Sequence, residues 1–222
     1  MIQAPEHRDA HVWTADEIVA RFGPIPMSRI RTDPPPGMAT EEDVIDIEAR
    51  ENRLFELIHG VLVEKDMGYF ESVLTVELLT LINSFVRKHN LGMVAGEGGM
   101  LTFDVGLIYI PDISFASWER IGTVDVRRRA VPRVIPDLAV EVISRGNTKK
   151  EMEDKLDDYF DKGVRLVWYV YPRSEEIHVY VARENPTVLQ KSDKLDGLDV
   201  LPGFSVDVAA IFNIPQKPNP SP

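Results

Sequence analysis

Cysteine is absent from all 222 residues, which excludes disulfides, thiolate zinc sites, iron–sulfur ligation and cysteine nucleophiles together. A reducing compartment is compatible with that composition. Basic residues are in deficit, 25 Lys and Arg against 36 Asp and Glu, so the formal charge of −11 excludes a surface that holds polyanions by net charge. Any nucleic-acid site must then be a local basic patch or a metal site. Long apolar runs are lacking as well: no window approaches the roughly 18 uninterrupted residues of a membrane span. The opening residues 1–13 carry neither a basic leader nor a signal-type hydrophobic stretch. Together these features predict a soluble, cytoplasmic protein with no membrane partner.

Several enzyme signatures are missing. His7, His11, His59, His89 and His178 share no metal-ligating spacing, so zinc is not indicated. Gly96-Glu97-Gly98-Gly99 lacks the Lys-Ser/Thr ending of a phosphate-binding loop and reads as a turn. Ser72, Ser114 and Ser144 sit in no Gly-X-Ser-X-Gly elbow, which disfavours serine-hydrolase chemistry.

What is present is enough apolar residue, 44%, to close a core without metal or disulfide. Residues 1–52 read as an N-terminal extension: a short helix over 14–22, with Thr14 and Glu17 as a capping box, a proline-rich linker through Pro34-Pro35-Pro36, and a second helix over 40–50. The main domain is expected over 53–213. It opens with two strands meeting at Gly60, followed by a long helix over 69–88 whose Val73, Leu74, Leu78, Leu81, Ile82 and Phe85 recur at helical spacing. Short strands follow to Phe115, then an arginine-bearing loop, and then a nearly apolar strand over 137–143, expected to be central. A helix over 148–162 carries the stripe Met152, Leu156, Tyr159 and Phe160. Consecutive antiparallel strands over 164–171 and 177–182, with a third at 187–190, complete the pattern; residues 214–222 read as a flexible tail.

Two carboxylates stand where a solvated one should not. Asp112 follows Pro111 at the end of an apolar strand, and Glu141 lies inside Leu138-Ala139-Val140-Glu141-Val142-Ile143. Burying either charge alone would cost several kcal/mol, so each needs a cation, hydrogen-bond donors or a metal. On neighbouring strands the two can converge on one divalent ion, which takes hard oxygen ligands; a buried structural ion pair satisfies the same pattern. Glu141 follows 29 residues after Asp112, an arrangement similar to the PD-(D/E)XK nuclease motif, but its third position is Ile143, which moves no proton. A replacement base is available on the following helix, where Lys155 has Glu151 and Tyr159 one turn to either side. An ordinary Glu151–Lys155 surface pair is the competing expectation.

Leu54-Phe55-Glu56-Leu57-Ile58-His59-Gly60, Pro111-Asp112-Ile113-Ser114-Phe115, Glu141-Val142-Ile143-Ser144, Lys155 with Tyr159, Trp168-Tyr169-Val170 and Leu201-Pro202-Gly203-Phe204 occur in an order that resembles the Uma2 family. The likeness spans roughly residues 53–212. It implies an α/β restriction-endonuclease-like mixed sheet flanked by helices, here with a helical, proline-rich N-terminal extension. It also implies metal ligation by Asp112 and Glu141, a relocated catalytic Lys155, Glu56 as an acidic residue completing the site, and a supporting hydrogen bond from Ser144. Magnesium, or manganese, is the implied cofactor, DNA the implied partner, and a homodimer the form suited to cutting both strands.

Arg127-Arg128-Arg129, with Arg120 and Arg133, is the best phosphate-facing candidate of an acidic chain, with an ordinary solvated loop as the equal competing reading. Trp168, Tyr169 and Tyr171 fit sheet packing better than base stacking. The expected activity is metal-dependent hydrolysis of DNA phosphodiester bonds. The alternative is a non-catalytic nucleic-acid-binding or structural protein that retains the nuclease fold.

Overall fold

The computed structural model describes residues 11–66 and 68–214; the expected tail lies almost wholly outside them. Helix starts follow side-chain caps. Thr14 and Glu17 form a capping box for α1 (Ala15–Phe22), and Thr40 with Asp43 does the same for α2 (Glu41–Glu51). Between them runs a segment with a single 3-10 turn, Met27–Arg29. Asn52 in the left-handed region stops α2.

Strands β1 (Phe55–Ile58) and β2 (Val61–Glu64) form a hairpin whose two turn residues, His59 and Gly60, both have positive φ (50° and 82°). Gly60 is required there for a second reason. A Cβ at this position would stand 2.3 Å from the Gly37 carbonyl oxygen, and the Gly60 carbonyl accepts the amides of Gly37 and Ala39 at 2.7 and 3.0 Å. The proline-rich segment is thereby pinned to the hairpin.

The long helix α3 (Tyr69–His89) buries Leu74, Leu78, Ile82 and Val86 at four-residue spacing and ends at left-handed Asn90. By length and composition α3 could cross a membrane, but that stripe lies within a core cluster shared with the sheet. Then come β3 (Gly92–Ala95), β4 (Leu101–Asp104), β5 (Leu107–Tyr109), β6 (Ile113–Ser117), the one-turn α4 (Trp118–Ile121), β7 (Leu138–Val142), α5 (Lys149–Asp161), β8 (Leu166–Tyr171), β9 (Glu176–Tyr180), β10 (Thr187–Leu189), β11 (Lys194–Asp196), β12 (Ser205–Asp207) and α6 (Val208–Phe212).

A six-stranded sheet of order β10-β9-β8-β7-β6-β3 carries the fold, with a four-stranded sheet β2-β1-β5-β4 and a small β11-β12 ribbon. Among the described residues only β7 and β8 pair in parallel, and α5 is the crossover between them; the other pairings are antiparallel. The expected interior position of β7 and the antiparallel β8-β9-β10 run are both present. The result is a mixed α/β sheet flanked by helices.

Alternation decides which side each residue serves. Leu138, Val140 and Val142, with Leu166, Trp168 and Val170, face the cluster shared with α3 and α6, while Ala139, Val167 and Tyr169 face a second cluster with Met152, Leu156 and Tyr159 of α5. Trp168 is fully buried against Phe204, as sheet packing requires. The smaller sheet splits likewise: Ile58, Val61 and Val63 enter the second cluster, and Phe55, Leu57 and Leu62 pack against α2. Ile18, Phe22, Ile25 and Ile30 of the N-terminal segment also lie in the second cluster.

Candidate active site

The two sheets exchange chain at Pro111. With no N–H to give a ladder, proline ends β5, and the next residues enter β6 in the other sheet. Asp112 sits at this crossing. The β6–β7 register pairs Ile113 with Val140, so one further step brings Asp112 beside Glu141, and Asp112 Oδ2 accepts the Val142 amide at 2.6 Å. Glu141 shares its strand face with Ala139 and so points toward α5.

On β1, Glu56 pairs with Val63 and turns to the same side; its Oε1 accepts the Ile110 amide at 2.9 Å. From α5, Lys155 Nζ donates to Glu56 Oε1 at 2.8 Å and lies 2.8 Å from Glu141 Oε1, to which the Tyr159 hydroxyl also donates. Glu56, Asp112, Glu141 and Lys155 therefore meet, each at most 5% exposed. The Glu151–Lys155 surface pair is not what forms. Glu151 is itself buried and takes a two-toothed grip from Arg29, with Nη1 to Oε2 at 2.9 Å and Nη2 to Oε1 at 2.8 Å. Lys149 and Lys150, by contrast, make solvent-facing pairs with Glu153 and Asp154.

Three participants escaped the sequence. Lys65 Nζ donates to the Ile110 carbonyl, lies 2.8 Å from Asp112 Oδ1 and 3.5 Å from Glu141 Oε2. The one available signal was alternation: Val61, Val63 and Lys65 fall on one strand face. Asp66 accepts the Gly146 amide at 3.1 Å and lies 2.8 Å from the Ser144 hydroxyl, which is also 2.9 Å from Asn147 Oδ1. Gly146 permits this approach, since a Cβ there would stand 2.2 Å from Asp66 Oδ2. Arg29 lies far upstream, in a stretch with no local pattern to mark it.

The electrostatics are those of a crowded buried cluster. Burial pushes the Glu141 carboxyl up, but Lys155 and Lys65 outweigh it and hold it below the usual range. Burial also drives Asp112, where the Glu141 charge adds to it, and its carboxyl lies above the ordinary value despite Lys65. Burial disfavours both ammoniums, yet the surrounding carboxylates keep Lys65 and Lys155 charged, with pKa values raised. Three carboxylates against two ammoniums leave one net negative charge in a space that also encloses a cavity of about 10 Å³.

A hard divalent cation suits these donors in kind. Asp112 Oδ1 is buried without a hydrogen bond of good geometry, which marks an oxygen able to serve a spherical ion. The room is taken, however, by Lys65. Among the described residues no group of three or more His, Asp or Glu side chains is spaced as a metal cage.

The arginine patch is smaller than expected and sits elsewhere. Arg120 is committed to Asp137 and to the Gly163 carbonyl, while Arg127, Arg128, Arg129 and Arg133 are exposed on the loop joining the ends of β6 and β7 opposite to Asp112 and Glu141.

A mixed sheet with a parallel crossover, carrying acidic residues on adjacent strands and a lysine on the crossover helix, defines a nuclease-type fold of the PD-(D/E)XK kind. Residues 42–209 match the sequence profile of Uma2, described as "Putative restriction endonuclease", and the chain belongs to that family. A crystal structure of a "putative nuclease belonging to DUF820" from Anabaena variabilis ATCC 29413 superposes with a TM-score of 0.68 at 19% identity, covering 78% of this chain and 97% of the other. No curated protein matches the chain.

Proposed function

We propose that the chain is a divalent-metal-dependent endonuclease that hydrolyses DNA phosphodiester bonds. The observation that carries this reading is the convergence of Glu56, Asp112, Glu141 and Lys155, from three strand regions and one helix, on a single buried centre. In this reading Asp112 and Glu141 hold magnesium, or manganese in its place, and Glu56 supports a ligand or water. When bound there, the ion supplies Lewis-acid polarisation of a phosphodiester oxygen and lowers the pKa of water.

The chain's own groups supply the rest. An ammonium has three N–H donors. Lys155 directs two toward Glu56 and Glu141 and keeps one for the phosphate, where it offsets developing negative charge. Tyr159 donates to Glu141 and fixes its orientation. A homodimer would supply two such centres for the two strands of a duplex.

The second reading, a nucleic-acid-binding or structural protein that keeps the fold without cleaving, is favoured by one observation: Lys65 among the carboxylates. Cleavage of supercoiled plasmid in magnesium or manganese separates the two. Nicking or linearisation that chelator stops, and that Asp112→Ala and Glu141→Ala both abolish, is the expected result. Cleavage surviving both substitutions would place the activity elsewhere, and no cleavage by the unaltered protein would favour the binding module.

A further inference from the structure

Two ammonium groups enter the carboxylate centre, and the reaction proposed above uses only Lys155. Lys65 arrives from the end of β2, where its backbone N–H donates to the Leu54 carbonyl at 2.9 Å and fixes the root of the side chain. Its Nζ then meets three oxygens: the Ile110 carbonyl, Asp112 Oδ1 at 2.8 Å and Glu141 Oε2 at 3.5 Å. A main-chain carbonyl and two carboxylates are the hard donors that magnesium and manganese take.

The contact with Asp112 is one of charge rather than direction. Asp112 Oδ1 is fully buried and 2.8 Å from the ammonium, yet makes no hydrogen bond of good geometry. A spherical cation could replace such a neighbour at Asp112 without loss of a directed bond to that oxygen. Space forbids both at once, because the cavity beside these groups is about 10 Å³, roughly the room of one water.

Resting on the nuclease reading, we infer that Lys65 is a tethered cation holding the metal position, and that a divalent ion enters by displacing its ammonium from Asp112 and Glu141. The exchange is cation for cation and makes or breaks no covalent bond. A tether of one side chain gives the ammonium an effective concentration in the millimolar range or above. Residue 65 thus sets how much divalent ion the site demands.

Calorimetric titration of Mn²⁺ into the nucleic-acid-free protein tests this, comparing the unaltered chain with Lys65→Met, which keeps the apolar stem and removes the charge. Mn²⁺ should bind Lys65→Met at least tenfold more tightly, and adding Asp112→Asn to that variant should abolish the gain. Because the substitution strips two carboxylates of a counterion, a second measurement uses the unaltered protein. Lys65 should be shielded from acetic anhydride without metal and become acetylated, by mass spectrometry, at Mn²⁺ concentrations that saturate the calorimetric signal.

Equal affinities in the two proteins, no Mn²⁺ binding by either, or a Lys65 equally shielded with and without bound Mn²⁺ would overturn the inference. No step of the test requires cleavage. A protein that binds Mn²⁺ as expected yet leaves plasmid intact would refute the nuclease reading alone.

Discussion

Asp112 is held in conflict: it is desolvated, faces the charge of Glu141, and accepts only one directed hydrogen bond, from Val142. Its carboxyl is raised above the ordinary value, so folding makes its ionisation harder than in the unfolded chain. The sign follows from linkage. An acid whose folded pKa exceeds its unfolded one costs stability when ionised at neutral pH, and the cost disappears as pH falls through the raised value. Asp112→Asn keeps an acceptor for the Val142 amide and removes the charge. We expect cleavage to fall by more than about a hundredfold, beyond the loss typical of a supporting contact. Thermal stability at pH 7 without metal should be unchanged or higher, and the difference from the unaltered protein should shrink toward pH 4. Scanning fluorimetry over that range checks it, and a markedly lower melting temperature at pH 7 would contradict the account. Asp112 and Glu141 were legible because a charge on an apolar strand is conspicuous. Lys65 was not, since a lysine just past a strand is usually solvated, and only the alternation after Val61 and Val63 set it apart.

The strand pair that presents these carboxylates is secured at its other end by Asp137, which is buried and accepts the Ser117 amide at 2.8 Å and the Arg120 guanidinium at 3.2 Å, with Arg165 at 3.3 Å. Burial pushes this carboxyl up, but the Ser117 hydrogen bonds and Arg120 prevail and hold it below its usual range. Its contribution is therefore present above the unfolded value near pH 4 and is lost as pH falls through the folded one. Asp137→Asn should cost about 2 kcal/mol at pH 7, the scale of hydrogen bonds to a charged group. The gap should narrow below about pH 4; denaturant titrations at pH 7 and pH 3.5 read both, and a gap independent of pH would be decisive against this role. Helix α1 was readable from its Thr14–Glu17 cap and α5 from its apolar stripe, while the Thr148–Glu151 box that starts α5 emerged only in the structure. Strand β3, a half-buried edge beginning at Gly92, and β11, with Leu195 as its one buried residue, carry no such pattern and went unseen.

The family likeness begins at residue 42, yet the core does not. Ile18, Phe22, Ile25 and Ile30 lie in the cluster beneath the site, and Arg29 grips Glu151, one helical turn before Lys155. Burying four such apolar side chains is worth about 6–12 kcal/mol, comparable with the whole stability of a domain. A chain beginning at residue 42 should therefore lose cooperative thermal unfolding by circular dichroism. Arg29→Ala alone, leaving Glu151 buried and unpaired, should cost about 3–5 kcal/mol. A melting curve for the shortened chain equal to that of the full chain would show that the segment is merely draped. Mixed-sheet architecture was readable because its periodicities are local. Where the N-terminal helix docks was not, because its partners lie far downstream: Arg21 meets Asp158 across 137 positions and Arg29 meets Glu151 across 122. That separation dictates an order of events during translation. Helix α1 leaves the ribosome with its capping residues ready but nothing to rest on, and must wait for the residues 122 to 137 positions downstream to emerge before its docking face exists. A nascent chain arrested before α5 should thus leave the N-terminal segment open to protease, and the carboxylate centre should close in the same step that makes the segment resistant.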